Sequence, residues 1–343
     1  MTGTRPAREQ HGRAASMQDV ARLAGVSMQT VSRVSNDSEA VKAETRDRVL
    51  AAMNELGYRP NSAARALKRG RFLSIGVLMR NLKSFGSSRM LEAINFEAAR
   101  RGYSIELISV NDPSTGEITQ ALSRLDREAV DGIIVRLDAH RMREHTIQFP
   151  TRVPTVLVEG ESYDDRVSVD ADHRHGTELA VQHLLELGHP TVWHLAGPAD
   201  NASAAAREQA WRDTLAAVGI AAPQVLRGDW TPRSGYRAGH VLLRQPEATA
   251  VFCANDQMAL GMLRAFHEAG RRVPDDVSVV GFDDTQESAY FWPPLTTVHQ
   301  DFAAVGANAV ALLLEQIESG PLPAGVRLTP SRLIVRESTH AFR

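Results

Sequence analysis

Along residues 16–57 the apolar positions recur every three or four residues, the period of helices buried on one face. Met17, Val20, Ala21, Leu23 and Ala24 predict a first helix, with Ser16 as its N-cap and Gly25 as its stop. Ser27 caps a short second helix over 28–34, which Ser35, Asn36 and Asp37 break. A third helix over 43–56 turns Val49, Ala52, Met53 and Leu56 inward and ends at Gly57. From Phe72 the texture changes to apolar runs of strand length alternating with amphipathic helices. Strands are predicted at 74–79, 104–110, 132–137, 155–159, 192–196, 250–254 and 277–282, with a last one at 332–335. Between them, helices are predicted at 88–101, 118–128, 174–187, 205–218, 234–244, 257–269 and 302–318. Strand followed by helix, repeated, predicts doubly wound parallel sheets. Runs at 167–170 and 295–300 are read as crossovers dividing this body into two lobes.

Two helices joined by a tight glycine turn, the second short and polar, describe a helix-turn-helix. Val26, Val31 and Val34 should face the first helix, leaving Met28, Gln29, Ser32 and Arg33 outward. Gln29 and Arg33 are four residues apart and share one face. A glutamine amide suits an adenine edge and an arginine fork a guanine edge in the major groove. Thr30, Ser32 and the amides at the helix start suit phosphates, which position such a module without reading sequence. A small helical docking module is the competing reading of the same pattern.

Charge sharpens this division. The formal net charge is −2 over 343 residues, but Lys and Arg outnumber Asp and Glu within the first 70, so the remainder is acidic on balance. A basic head on an acidic body suggests a polyanion-binding unit fused to something else. The length exceeds one ordinary compact core. The single cysteine, Cys253, forms no internal bridge, and no apolar run is long enough to span a bilayer. The first residues lack the apolar run of a secretory leader, so a cytoplasmic protein without membrane attachment is expected.

The chain resembles the lactose repressor (LacI/GalR) family. The likeness is carried by Met17-Gln-Asp-Val-Ala-Arg-Leu-Ala-Gly-Val-Ser-Met-Gln-Thr-Val-Ser-Arg-Val, then Thr45-Arg, Gly57-Tyr-Arg-Pro-Asn and Ala64-Arg-Ala-Leu. It resumes at Gly188-His, Leu195-Ala-Gly-Pro, Gly228-Asp-Trp, Ala254-Asn-Asp-Gln-Met-Ala-Leu-Gly, Val280-Gly-Phe-Asp-Asp-Thr and Pro293-Pro-Leu-Thr-Thr-Val-His-Gln-Asp-Phe. The resemblance implies an all-α helix-turn-helix head on an α/β periplasmic-binding-protein-like core of two doubly wound lobes. With it, the chain divides into a flexible tail at 1–15, a DNA-binding domain at 16–60, and a hinge helix and linker at 61–72. The first lobe then takes 73–171 with 302–328, and the second 172–301 with 329–343.

Pro60 ends the preceding structure, and Asn61 can cap a short alanine-rich helix over 62–67 flanked by Arg65, Lys68 and Arg69. The resemblance implies that two such helices from a homodimer enter the minor groove, with Asn61 and Ala64 beside it and Leu67 wedged between base steps. On composition alone the segment also reads as a solvated linker. A two-fold protein would read a near-palindromic operator in double-stranded DNA, one head per half-site.

Two doubly wound lobes bind small ligands at the C-terminal ends of their strands. Asn255 and Asp256 follow one predicted strand, and Asp283 and Asp284 follow another. The resemblance implies polar effector contacts from Glu159, Arg207, Asn255 and Asp283, aromatic surface from Trp230 and Phe302, and a place for Arg80 in the first lobe. Glu159 departs from the Asp of the lactose-type pattern, and Arg80 stands where that pattern has a small polar residue. Singly, Asp283 also reads as a turn cap, Arg207 as a structural ion pair and Trp230 as core. Carboxylates, an arginine fork and a flat aromatic suit a sugar, with a galactoside or other disaccharide first and a monosaccharide second. A purine corepressor and a stand-alone sugar-binding protein are the alternatives. The resemblance further implies that effector rearranges the lobes and lets the hinge helices melt.

Asp170, Asp172, His173 and His175 have metal-ligand composition but lie where Asp and His cap and solvate a helix start, so no metal site is expected. No nucleophile elbow, P-loop or dinucleotide fingerprint occurs, and neither catalysis nor a cofactor is expected. The sequence stops at Arg343 without the leucine-heptad tail of tetrameric members, which favours a dimer.

Overall fold

The computed structural model describes residues 15–36, 38, 40–59, 70–80, 82–110, 115–127, 130–137, 147, 149–159 and 166–342. Residues 1–14 of the expected tail 1–15 and the hinge positions Asn61, Ala64 and Leu67 lie outside these residues. The chain forms two compact units, 1–72 and 73–343.

In the first unit, α1 (Met17–Ala24) opens on a capping box. Ser16 Oγ accepts from the Asp19 amide at 3.3 Å while the Ser16 amide donates to the Asp19 carboxylate at 3.0 Å. Gly25 supplies the left-handed residue, φ 66°, that ends the helix. Ser27 caps α2 (Met28–Ser35), and α3 (Ala43–Glu55) closes the bundle. Val20, Val31 and Val49 are wholly buried at its centre, with Val34, Ala52 and Met53 around them.

In the second unit two six-stranded sheets follow the expected doubly wound plan. The first sheet holds β1 (Ser74–Arg80), β2 (Ser104–Val110), β3 (Gly132–Arg136), β4 (Thr155–Val158), β5 (Val167–Ala171) and β11 (Gly325–Thr329). Its order is β11-β5-β4-β3-β1-β2, all parallel. In the second sheet are β6 (Trp193–Ala196), β7 (Leu226–Arg227), β8 (Ala250–Cys253), β9 (Ser278–Asp283), β10 (Thr296–His299) and β12 (Arg332–Ile334). The order there is β12-β10-β9-β8-β6-β7, with only the β10–β12 pair antiparallel. Helices cover both faces, so the strands bury alternate residues in opposite cores. Ile75, Val77 and Met79 pack under α4 (Phe85–Arg100) and α10 (Phe302–Ser319), while Leu78 meets α5 (Thr115–Arg127). Burial on both faces is why these strands read as continuous apolar runs.

Two expectations are corrected. Segments 167–170 and 295–300 are not crossovers. The first belongs to β5, bonded to β4 and β11, and the second contains β10, bonded to β9 and β12. Their β-branched, buried residues take ladder positions, and the chain changes sheet only in the short links that follow. One link leads into α6 (His173–Glu186), another into α10, and a third joins β11 to β12. The helix expected from 88 begins at Phe85, because Ser84 Oγ accepts from the Ser87 amide at 3.3 Å and caps it three residues earlier.

Candidate functional site

A cavity of about 750 Å³ opens at the C-terminal ends of both sheets. Arg80, Glu159, Arg207, Trp230, Asn255, Asp283 and Phe302 all line it. Arg80 and Asp283 end strands, Glu159 and Asn255 follow them, Trp230 precedes α8 (Pro232–Leu242), Phe302 opens α10 and Arg207 lies in the second turn of its helix, so the fold delivers residues remote in sequence to one space. Of the five non-glycine residues with positive φ among the described residues, three are lining residues: Glu159 (59°), Trp230 (69°) and Asp283 (112°). Such conformations cost about 1–3 kcal/mol each and persist where surrounding structure dictates a side chain's direction.

The second lobe fixes its polar groups firmly. Arg207, on α7 (Ala202–Ala217), is buried and donates to the Ala254 carbonyl. Its guanidinium carbon lies 3.8 Å from the centre of the Phe282 ring and 5.6 Å from that of Trp230. Asp283 Oδ1 lies 3.8 Å from Arg207 Nη1 and accepts from Gln300 Nε2 at 2.5 Å. Burial nevertheless dominates, raising the Asp283 carboxyl to about 7 against the downward pull of Arg207 and Gln300. The same burial lowers Arg207 from its ordinary value. Asn255 caps α9 (Asp256–Glu268), accepting from the Met258 amide at 2.9 Å and donating to the Trp230 carbonyl at 3.2 Å. Trp230 packs one side on the apolar core and crosses Gly197 so closely that a Cβ there would lie 2.4 Å from the indole.

Two residues flagged beside the strand ends lie off this surface. Asp256 is wholly buried and accepts from Thr297 Oγ1 at 2.5 Å, Ser288 Oγ at 2.6 Å and the Thr285 amide at 2.9 Å. Burial lifts its carboxyl to about 6. It ties three segments together under the cavity floor. Asp284 pairs with Arg336 at 2.6 Å and His299 at 2.9 Å.

The first lobe contributes Arg136, which sequence reasoning missed. Its guanidinium donates to Ser87 Oγ and forms an ion pair with Glu159. Arg136 is the last residue of β3, one residue short of the strand end expected from the sequence, so a search beyond the predicted strand end passes it by. Phe302, the first residue of α10, meets Phe85 edge-on at 5.9 Å between ring centroids. Lys83, Asp200, Asp229, Gln257 and Gln300 also line the cavity and were not singled out.

The cluster read for metal composition has other partners. Asp172 caps α6 through the His175 amide at 2.9 Å. His173 lies between Asp170, at 3.2 Å, and Arg207, at 3.4 Å.

In the head, Met28, Gln29 and Arg33 are exposed on α2, while Thr30 and Ser32 are half-buried. Ser27 Oγ holds the Thr30 amide at 3.1 Å and touches its hydroxyl at 2.9 Å. Asn36 Nδ2 donates to the Ser32 carbonyl at 2.7 Å. Gln29 and Arg33 thus stand on the solvent side of a capped helix whose valines are locked in the bundle.

Residues 16–61 match the family model described as bacterial regulatory proteins, lacI family. Residues 181–339 match a periplasmic binding protein-like domain. The chain is 37% identical over 328 residues to the lactose operon repressor of Escherichia coli (strain K12), covering 95% of this chain and 91% of that one. It is 34% identical over 338 residues to the HTH-type transcriptional repressor PurR of Haemophilus influenzae (strain PittEE), covering 96% and 99%. A crystal structure of the lac repressor dimer bound to operator and the anti-inducer ONPF aligns with a TM-score of 0.86 at 37% identity, over 96% of this chain and all of that one. The complex of the transcriptional regulator CelR with cellobiose aligns at 0.70 and 31% identity, over 94% and 99%.

Proposed function

The chain belongs to the LacI family of bacterial regulatory proteins, and from that premise we propose that it is a cytoplasmic repressor. As a homodimer it holds a near-palindromic operator and releases it when a sugar occupies the cavity between the lobes. The observation that carries this reading is the conjunction, in one chain, of two features. One is a capped helix presenting exposed Gln29 and Arg33. The other is a cavity where carboxylates, an arginine fork and Trp230 meet. Hydroxyls around a sugar ring match the polar groups, and its C–H faces match the indole.

Gln29 and Arg33 read base edges in the major groove, while Met28, Thr30 and Ser32 flank them along the backbone. Asn61, Ala64 and Leu67 enter on the family resemblance alone, as the segment that couples the core to the minor groove. Coupling requires only that operator and effector favour different arrangements of the same chain. The relatives are transcriptional repressors, and this chain is read likewise as a regulator without catalytic activity. Among the described residues no helix is long and apolar enough to cross a membrane.

The test is a gel shift with an operator selected from random duplexes. Wild type should bind one near-palindromic sequence and release it with a saccharide from a mono- and disaccharide panel. Arg33→Ala should weaken that site about tenfold or more and relax preference at one base position. Binding without sequence preference would leave a stand-alone sugar binder. Tightening by a purine, rather than release by a sugar, would make the chain a corepressor-dependent repressor.

A further inference from the structure

The charges lining the cavity are unevenly distributed. From the first lobe come Arg80, Lys83 and Arg136 against Glu159. From the second lobe come Asp200, Asp229 and Asp283 against Arg207. Among the described lining residues, one wall therefore carries an excess of cations and the other an excess of carboxylates.

Partners sharpen the asymmetry. Arg136 is held by Glu159 and Ser87, so that pair is internally balanced. Arg207 is held by Ala254 and Asp283. Asp229 accepts from Thr231 and lies 3.8 Å from Arg237. The side chains of Arg80 and Lys83 make no hydrogen bond or ion pair among the described residues, although the Arg80 carbonyl accepts from Ser87 Oγ at 3.3 Å. They sit three positions apart, Arg80 as the last residue of β1 and Lys83 in the turn before α4. Arg80 is half-buried, and a partly desolvated guanidinium without a counter-charge gains most from an anionic partner.

We propose that the effector is an anionic sugar, bearing a phosphate or carboxylate that Arg80 and Lys83 receive at the first-lobe end of the cavity. Its hydroxyl-bearing ring lies toward Trp230, Asn255 and Asp283. This deepens the sugar reading and rests on it. The unpaired cations supply selectivity, since a neutral sugar leaves both without a partner.

The experiment uses the full-length protein and matched probes: glucose with glucose 6-phosphate and glucuronate, and galactose with galactose 6-phosphate and galacturonate. Binding is followed by thermal shift and calorimetry. Within at least one set an anionic member should bind about tenfold or more tighter than its neutral parent, a ratio set by a charge-assisted hydrogen bond. That preference should shrink as sodium chloride rises. Arg80→Gln with Lys83→Gln should remove the preference, and Arg80→Lys should restore part of it. The phosphate and carboxylate arms say which anion is taken. A neutral sugar that binds as tightly as its anionic partners, or a preference that survives the double substitution, overturns the anionic site and leaves the sugar reading standing. Silence from every probe here and from the mono- and disaccharide panel overturns both.

Discussion

On the second-lobe wall of the cavity Arg207 is stacked on Phe282, bonded to a carbonyl and set beside Asp283, which is itself held by Gln300. On the first-lobe wall the side chains of Arg80 and Lys83 have no partner among the described residues, while Arg136, Glu159 and Ser87 form a closed knot. One wall is built into the fold's own energetics, while the other keeps groups in reserve for a ligand. Substitutions on the first should therefore cost stability and binding together, whereas those on the second should separate the two.

The largest expected effect is Arg207→Ala. It leaves Asp283 buried without its counter-charge, and breaking a buried pair costs about 3–5 kcal/mol. The melting temperature should fall and release from operator by effector should be lost, while the operator itself is still bound at temperatures where the core remains folded. A variant with wild-type stability would mean that the two walls are alike.

Gly197→Ala comes next. A Cβ there would meet the Trp230 indole at 2.4 Å, and relieving such overpacking costs about 1–3 kcal/mol. Sugar affinity should drop about tenfold. Gly86→Ala, across the cavity, is the control, because its nearest atom would lie at 3.6 Å, an ordinary contact. Equal losses from both, measured by calorimetry, would deny Trp230 its place as the ring's platform.

The contrast between the walls also explains what the sequence disclosed. The head was legible because its signals are local: Ser16, Gly25 and Ser27 are caps and stops written beside the helices they bound. The seven candidate cavity residues were legible through strand ends and resemblance together. Segments 167–170 and 295–300 were misread because a short buried strand that mixes Val with Ser or Thr looks like a link until its ladder partners, distant in sequence, are known. Arg136 was overlooked because its position as the final residue of β3 was hidden inside a predicted strand one residue too long. Asp256 was placed at the cleft because, like Asn255, it follows a predicted strand. Its burial depends on Thr285, Ser288 and Thr297, which no local pattern brings together.

A pH series tests the second-lobe wall from another side. Asp283 has its carboxyl raised from 3.8 to about 7 chiefly by burial. The folded chain thus holds this proton more tightly than the unfolded chain does. This group's contribution to stability therefore declines as pH rises from about 3.8 through about 7, and is constant above that window. Asp283→Asn removes the titration while Asp256 remains in both proteins. The stability of wild type relative to the variant, from urea midpoints at pH 5, 6, 7 and 8, should decrease up to about pH 7 and then level off. A difference independent of pH would show that Arg207 already keeps the carboxylate ionised.

The smallest effect is expected at Arg80 and Lys83, and it matters because it is small. Neither side chain is engaged among the described residues, so Arg80→Ala and Lys83→Ala should each leave the stability of the ligand-free protein within about 0.5 kcal/mol of wild type, as for other substitutions away from packed or bonded sites. Urea midpoints at neutral pH measure this directly. A loss of several kcal/mol at Arg80 would mean that its guanidinium is already bound within the fold. Both walls would then be tied into the folded core to the same degree, and the cations would no longer be free to choose a ligand.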